Sequence, residues 1–285
     1  MTASARLVGT AQQYVAQLPD LLLCAEHMAQ SLWLGRHARR RAGTGDDFWQ
    51  YRPYTGSDSA HRIDWRRSAR GDTLYVRERE WQITHHLLLW PDLSPSMDYA
   101  SARNMTKADY AMLLTLTLSS LVLRAGDGVR GMTGPACAYH PSALSEFAAT
   151  LCATAGSKSS PVLEGDGGGE PFVIASDFLD EDTAWDAALA RLADRPRRGV
   201  LLHVMDPAEI TLPFTGRARL LSPEGDPDLL VANIDALRDA YQVRMHAHQG
   251  RLAALAHAQG WLYIACVTDE NPLSLLLKVT EFLSY

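Results

Sequence analysis

In LLLWPDLSPSM (87–97) a carboxylate, Asp92, is followed by hydroxyls at alternate positions, Ser94 and Ser96, directly after an apolar run. Alternate residues of an extended chain point the same way, and Pro95 favours an extended backbone there. One carboxylate and two hydroxyls therefore converge on one spot. Such oxygen donors suit a hard divalent cation, which keeps several waters where the protein supplies few charges. A second acid has a matching place, since in FVIASD Asp177 follows another apolar run directly. Two acids at two strand ends can share one metal and leave a coordination position open to an acid from a partner. The competing reading of the triplet is helix capping by Ser94 or Ser96; the match with Asp177 favours the metal.

Other charged stretches point elsewhere. In DPAE (206–209), Asp206 and Glu209 follow an apolar run and widen a partner-binding rim, or else Asp206 and Pro207 build a strand-end turn with Pro213 and Phe214 packed below. HRIDWRRSAR (61–70) sets Arg62, Arg66, Arg67 and Arg70 around Asp64 and Trp65. Arginine pairs bidentately with phosphate or carboxylate, so this segment is a candidate contact for a partner. Asp58, Asp64 and Asp72 repel a phosphate backbone, which argues against nucleic acid and for an Arg–Asp network docked on an acidic body. RHARRR (36–41) is the better basic patch, although such a run is usually a solvated face. His246, His248 and His257 lack a glutamate at metal-ligand spacing and are expected on the surface. P-loop, G-x-G-x-x-G, G-x-S-x-G and H-E-x-x-H motifs are missing. A phosphatase with Asp92 as nucleophile is the enzymatic alternative. Haloacid-dehalogenase-like phosphatases place a general-acid Asp two residues on, where this chain has Ser94, so the expectation is a binding protein rather than an enzyme.

The elements that must position these residues are legible as apolar runs. Strands are expected at His86–Pro91, Val129–Thr133, Ala136–His140, Phe172–Ser176, Val200–Met205 and Trp261–Val267, with helices at about 104–124, 142–154, 183–194, 228–257 and 272–283. Continuous apolar strands alternating with helices indicate an α/β fold, a mostly parallel sheet covered on both faces. The turn at Gly134-Pro135 makes one of its flanking strands an antiparallel edge. Residues 10–35 read as a helix, and the Arg-rich segment after it as irregular apart from a strand at Thr73–Val76. The domain boundary is expected at 84/85, with a helical and irregular Arg-rich region at 1–84 and the α/β domain at 85–285.

Composition agrees with this division. The chain has 285 residues, 47% hydrophobic and 21% charged, enough for an ordinary core. Its net charge of −6 is uneven, residues 1–85 carrying 12 Arg/Lys against 9 Asp/Glu and the remainder 15 against 24. Cys24, Cys137, Cys152 and Cys266 are widely spaced in apolar surroundings and are expected as buried free thiols in a reducing compartment. No signal peptide opens the chain, and the apolar run Tyr110–Leu123 falls short of the roughly 20 residues that span a bilayer. A soluble cytoplasmic protein with no membrane span is the expectation.

Asp-x-Ser-x-Ser after an apolar strand, with a later strand ending in Ser-Asp, resembles the metal-ion-dependent adhesion site of von Willebrand factor type A domains. YRPYTGSDSAHRIDWRRSARGDTLYVRERE (51–80) and HVMDPAEITLPF (203–214) resemble domain-of-unknown-function family 58, over roughly residues 40–285. The resemblance implies a Rossmann-like, von Willebrand factor type A-like domain. It implies that Asp92, Ser94, Ser96 and Asp177 hold Mg²⁺, with Mn²⁺ or Ca²⁺ as alternatives, and that the ion captures an acidic residue of a partner. It implies association with a MoxR-type AAA+ ATPase or its client in bacteria. The adhesion site normally adds a Thr from a loop between the two Asp-bearing strands, and here TAGSKSSP (154–161) offers Thr154, Ser157, Ser159 or Ser160.

Overall fold

The computed structural model describes residues 23, 27, 29, 50–54, 65–69, 74–78, 86–101, 105–155, 161, 169–179, 182–220 and 229–283. These fall into two units, residues 37–84 and residues 1–36 with 85–285. In the smaller unit, β1 (Gln50–Pro53) and β2 (Tyr75–Glu78) form an antiparallel ribbon, Gln50 opposite Glu78. The single-turn helix α1 (Trp65–Ser68) lies between them in sequence, and its Ser68 hydroxyl accepts from Tyr75 N at 2.9 Å. The strand expected at Thr73–Val76 starts later, and its partner β1 carries no apolar signature because backbone pairing defines it.

The larger unit runs β3 (His86–Pro91), α2 (Lys107–Ala125), β4 (Gly128–Gly131), β5 (Cys137–Ala138), α3 (Leu144–Ala155), β6 (Phe172–Ser176), α4 (Asp182–Ala193), β7 (Gly199–Met205), α5 (Pro207–Thr211), β8 (Ala218–Leu220), β9 (Leu229–Val231), α6 (Asp235–Ala258), β10 (Leu262–Val267) and α7 (Pro272–Leu283). Six strands form a Rossmann-like sheet in the order β10-β7-β6-β3-β4-β5. All neighbours are parallel except β4 and β5, so β5 is the antiparallel edge. The chain leaves β3 for β4 on one side and later returns to place β6 on the other. Strand order thus reverses between β3 and β6, where such sheets open a crevice at their carboxyl ends.

Strand side chains alternate between two cores. Leu87, Leu89, Val173, Leu202 and Val204 pack on α2, α3 and α7, a cluster that also takes in the fully buried Ala29. Leu88, Trp90, Phe172, Ile174 and Leu201 meet Trp185 and Leu189 of α4 and Leu252 of α6. Close packing needs a glycine at 199, because a Cβ there would overlap the Phe172 ring and come within 2.8 Å of Trp261 Cγ.

Helix α2 is buried almost throughout. Its hydroxyls are satisfied internally: Thr115, Thr117 and Ser119 donate to the carbonyls four residues earlier at 2.7–2.8 Å. Thr106 caps its start, accepting from Asp109 N at 3.0 Å, and Gly126 ends it in a left-handed conformation (φ 93°). Among the described helices α2 is long and apolar enough to cross a bilayer, and here it is the central core helix.

Two expectations need correction. The helix expected over 228–257 begins at Asp235, because residues 229–231 pair with β8 and Asn233 Oδ1 accepts from Asp235 N at 3.1 Å in a turn that restarts the chain. Cys152 and Cys266 are buried, but Cys137 is exposed on the two-residue edge strand.

Candidate functional site

The β3–β6 ladder continues one step beyond β3, with Asp92 N donating to Ala175 O at 2.8 Å, and this fixes Asp92 beside the end of β6. Asp92 is 1% exposed. Its Oδ1 accepts from Ser94 N at 2.9 Å and its Oδ2 from Ser176 Oγ at 2.6 Å. Ser94 is extended (φ −63°, ψ 161°) and leads into a single 3-10 turn, Pro95–Met97, anchored by the buried Met97. The Ser94 hydroxyl makes no capping bond there. It lies instead 3.1 Å from the Ser96 hydroxyl. Oxygens at adjacent corners of a magnesium octahedron, each about 2.1 Å from the ion, are about 3 Å apart, so this pair has the spacing of neighbouring ligands.

Asp177 follows β6 directly and is 2% exposed. Leu179 N donates to its Oδ1 at 3.2 Å, and Lys107 Nζ to its Oδ2 at 2.8 Å. The next residue, Phe178, has a left-handed backbone (φ 52°), and its N–H donates to Ser176 Oγ at 3.0 Å. The buried Phe178 ring packs on Trp185 and His203, with centroids 4.6 and 5.8 Å away. Ser176 thus ties the two acidic strand ends together. Burial first, and then the negative charge of Asp177, push the Asp92 carboxyl up to about 7. Positive charge near two buried acids is favourable, and Lys107 supplies part of it at Asp177. In donor chemistry, the two carboxylates Asp92 and Asp177 and the two hydroxyls Ser94 and Ser96 suit a hard divalent ion. Among the described residues no three His, Cys, Asp or Glu side chains are grouped to hold a metal. Such an ion therefore depends on the hydroxyls.

Beside the four candidates stands Lys107, the first residue of α2, 1% exposed. Its ammonium bonds both Asp177 and Glu209, the latter at 2.6 Å. Burial alone would lower its pKa, but the two carboxylates outweigh burial and raise it. Glu209 Oε2 accepts from Asp206 N at 2.8 Å, and Asp206 Oδ1 from Ala208 N at 2.8 Å, a reciprocal capping box for α5. Asp206 Oδ2 accepts from Ser101 N at 2.8 Å, tying α5 to the loop after β3. Asp206 is fully buried, so it supports the rim from beneath, whereas the Glu209 side chain is 18% exposed. Phe214 does not pack below the turn as expected but is 42% exposed.

The remaining candidates lie elsewhere. Arg62, Asp64 and Arg70 fall outside the described residues; Arg66 is exposed on α1, and Arg67 belongs to the same helix. Thr154 lies in the last turn of α3 with its hydroxyl on Thr150 O at 2.9 Å, while Ser157, Ser159 and Ser160 lie outside the described residues. His246 and His257 are exposed as expected, but His248 is half-buried against His203, ring centroids 5.7 Å apart. His203 itself is fully buried in β7 with Nδ1 2.8 Å from Tyr263 Oη, and burial pushes its pKa down to about 4. Lys107 and His203 were not among the expected site residues, and Ser176 entered only as part of the Ser-Asp strand end. Lys107 had one signal, being one of three lysines among 27 basic residues and placed directly after the capping Thr106.

A family model described as "Protein of unknown function DUF58" matches residues 50–146 and 169–251. Among curated proteins none matches the chain. A solved structure, described as conserved hypothetical protein BatB from Bacteroides thetaiotaomicron, is similar with a TM-score of 0.39 and 10% identity, over 70% of this chain and 100% of that one.

Proposed function

The chain belongs to the DUF58 family, and from that membership and the carboxyl-edge geometry we propose a non-enzymatic protein-binding module with a von Willebrand factor type A-like site. Asp92, Ser94, Ser96 and Asp177 would hold Mg²⁺ and leave a coordination position for an acidic residue of a partner. The ion supplies Lewis acidity toward that carboxylate. The protein's own part is to orient the donors: Ser176 and Ser94 N–H fix Asp92, and the Phe178 turn fixes Asp177. The observation that carries the proposal is the pair of hydroxyls 3.1 Å apart beside two buried, coupled acids at the reversal of strand order. Following the family resemblance, a MoxR-type AAA+ ATPase or its client is the proposed partner, with this chain as adaptor.

Calorimetric titration of metal-stripped protein with Mg²⁺ and Mn²⁺ tests the site. Binding is expected in the wild type and loss of it in Asp92→Asn, which keeps the side-chain shape but removes the anchoring charge. Undiminished binding in the variant would place the ion elsewhere.

A further inference from the structure

An ammonium already sits on one of the two acids assigned to the metal. Lysine is almost never fully buried unless paired, and the desolvation of its charge costs several kcal/mol. Lys107 also occupies the first turn of α2, the end of a helix that disfavours a cation. Both costs are met by Asp177 at 2.8 Å and Glu209 at 2.6 Å. Asp206 takes no share, because both of its oxygens accept backbone N–H groups, from Ala208 and Ser101.

Charge counting gives this arrangement a meaning beyond packing. The cluster holds four carboxylates, those of Asp92, Asp177, Asp206 and Glu209, against the single ammonium of Lys107. One divalent ion lowers the net negative charge of the group without reversing it. With Lys107 absent, the same ion would leave a more negative group beside the open position, which repels an incoming carboxylate more strongly. With Lys107 present, the ion is held less tightly, because Asp177 is shared with a competing cation.

We infer that Lys107 is a resident counter-cation that shares Asp177 with the divalent ion, lowering the site's own metal affinity while leaving a less negative centre for a partner's acid. This inference rests on the metal-binding reading above. Lys107 is a positioning residue in it and acts through Asp177. An ion pair serving stability alone would lose stability on substitution without tightening metal binding.

The test is Mn²⁺ titration by calorimetry of the metal-stripped wild type, Lys107→Met and Glu209→Gln, with circular dichroism to confirm each fold. Lys107→Met is expected to bind Mn²⁺ at least tenfold more tightly than the wild type. Glu209→Gln is expected to bind it several-fold more weakly, since it removes a negative charge and leaves the whole ammonium charge on Asp177. A folded Lys107→Met protein that binds Mn²⁺ no more tightly than the wild type overturns the inference. Should Lys107→Met fail to fold, Glu209→Gln decides alone, and unchanged or tighter binding overturns the inference. Wild-type binding with insensitive variants removes only the role of Lys107. Absence of binding in every protein removes the metal site, and this inference with it.

Discussion

Phe178 adopts φ 52° without being glycine, a conformation that costs an L-residue roughly 1–2 kcal/mol. Burial of its ring against Trp185 and His203 offsets that cost, and the turn sets the direction of Asp177. Phe178→Ala keeps the unfavourable backbone and loses the ring, so urea unfolding should show a loss of about 3–5 kcal/mol. Phe178→Gly loses the ring too but frees the backbone, and should be about 1 kcal/mol less damaging; equal losses would show that the turn is unstrained. The strand-end placement of Asp92 and Asp177 and the approach of Ser94 to Ser96 were legible in the sequence because alternate spacing and a strand end are local features. Lys107, Ser176 and His203 were not, since each acquires its role from a partner at least 60 residues away.

At the level of elements, the central strands declare themselves as continuous apolar runs because both of their faces are covered. β3 and β6 match their expected limits, and the others depart by a residue or more at their ends. Of the two ribbons, β2 was expected in part, at Thr73–Val76, whereas β1, β8 and β9 gave no strand signal. Leu229 and Leu230 are 59% and 66% exposed, so backbone pairing rather than burial makes β9 a strand, and an apolar run reads equally well as the start of a helix. Gly199 opens β7 where the rings of Phe172 and Trp261 stack edge to face at 4.9 Å. Gly199→Ala should push these rings apart and lower stability by about 1–3 kcal/mol in chemical denaturation, and a neutral result would mean that β7 can shift at its first residue.

For the molecule as a whole, two buried groups with opposite shifts shape the response to pH. The folded-state pKa of Asp92 is about 7, above its ordinary 3.8. Its contribution to stability is therefore fully present below about 4 and is lost as pH rises through 7. His203, held at about 4 against 6.5, works in the other direction, and its contribution is lost as pH falls from 6.5 through 4. Over their shared window the two slopes, each at most about 1.4 kcal/mol per pH unit, oppose one another. In metal-stripped protein, Asp92→Asn should match the wild type near pH 4 and become progressively more stable than it toward pH 7. Urea titrations at a series of pH values check this, and a difference that stays constant with pH would mean that Asp92 ionises freely in the fold. A proposed ligand whose replacement stabilises the empty protein is the expected signature of a residue kept for binding.

The long spacings within the carboxyl-edge cluster also act in time. Asp92 meets Ser176 across 84 residues, Lys107 meets Glu209 across 102, and Ser101 meets Asp206 across 105. During synthesis the Asp92 triplet leaves the ribosome well before Glu209, and contacts so far apart must wait for the intervening chain to fold. A nascent chain, or a fragment truncated before β6, therefore carries the triplet without Asp177, and one truncated before β7 still lacks Asp206 and Glu209. On the proposed reading, competence to engage a partner would arrive together with completion of the sheet, and partly made chains would not compete for it.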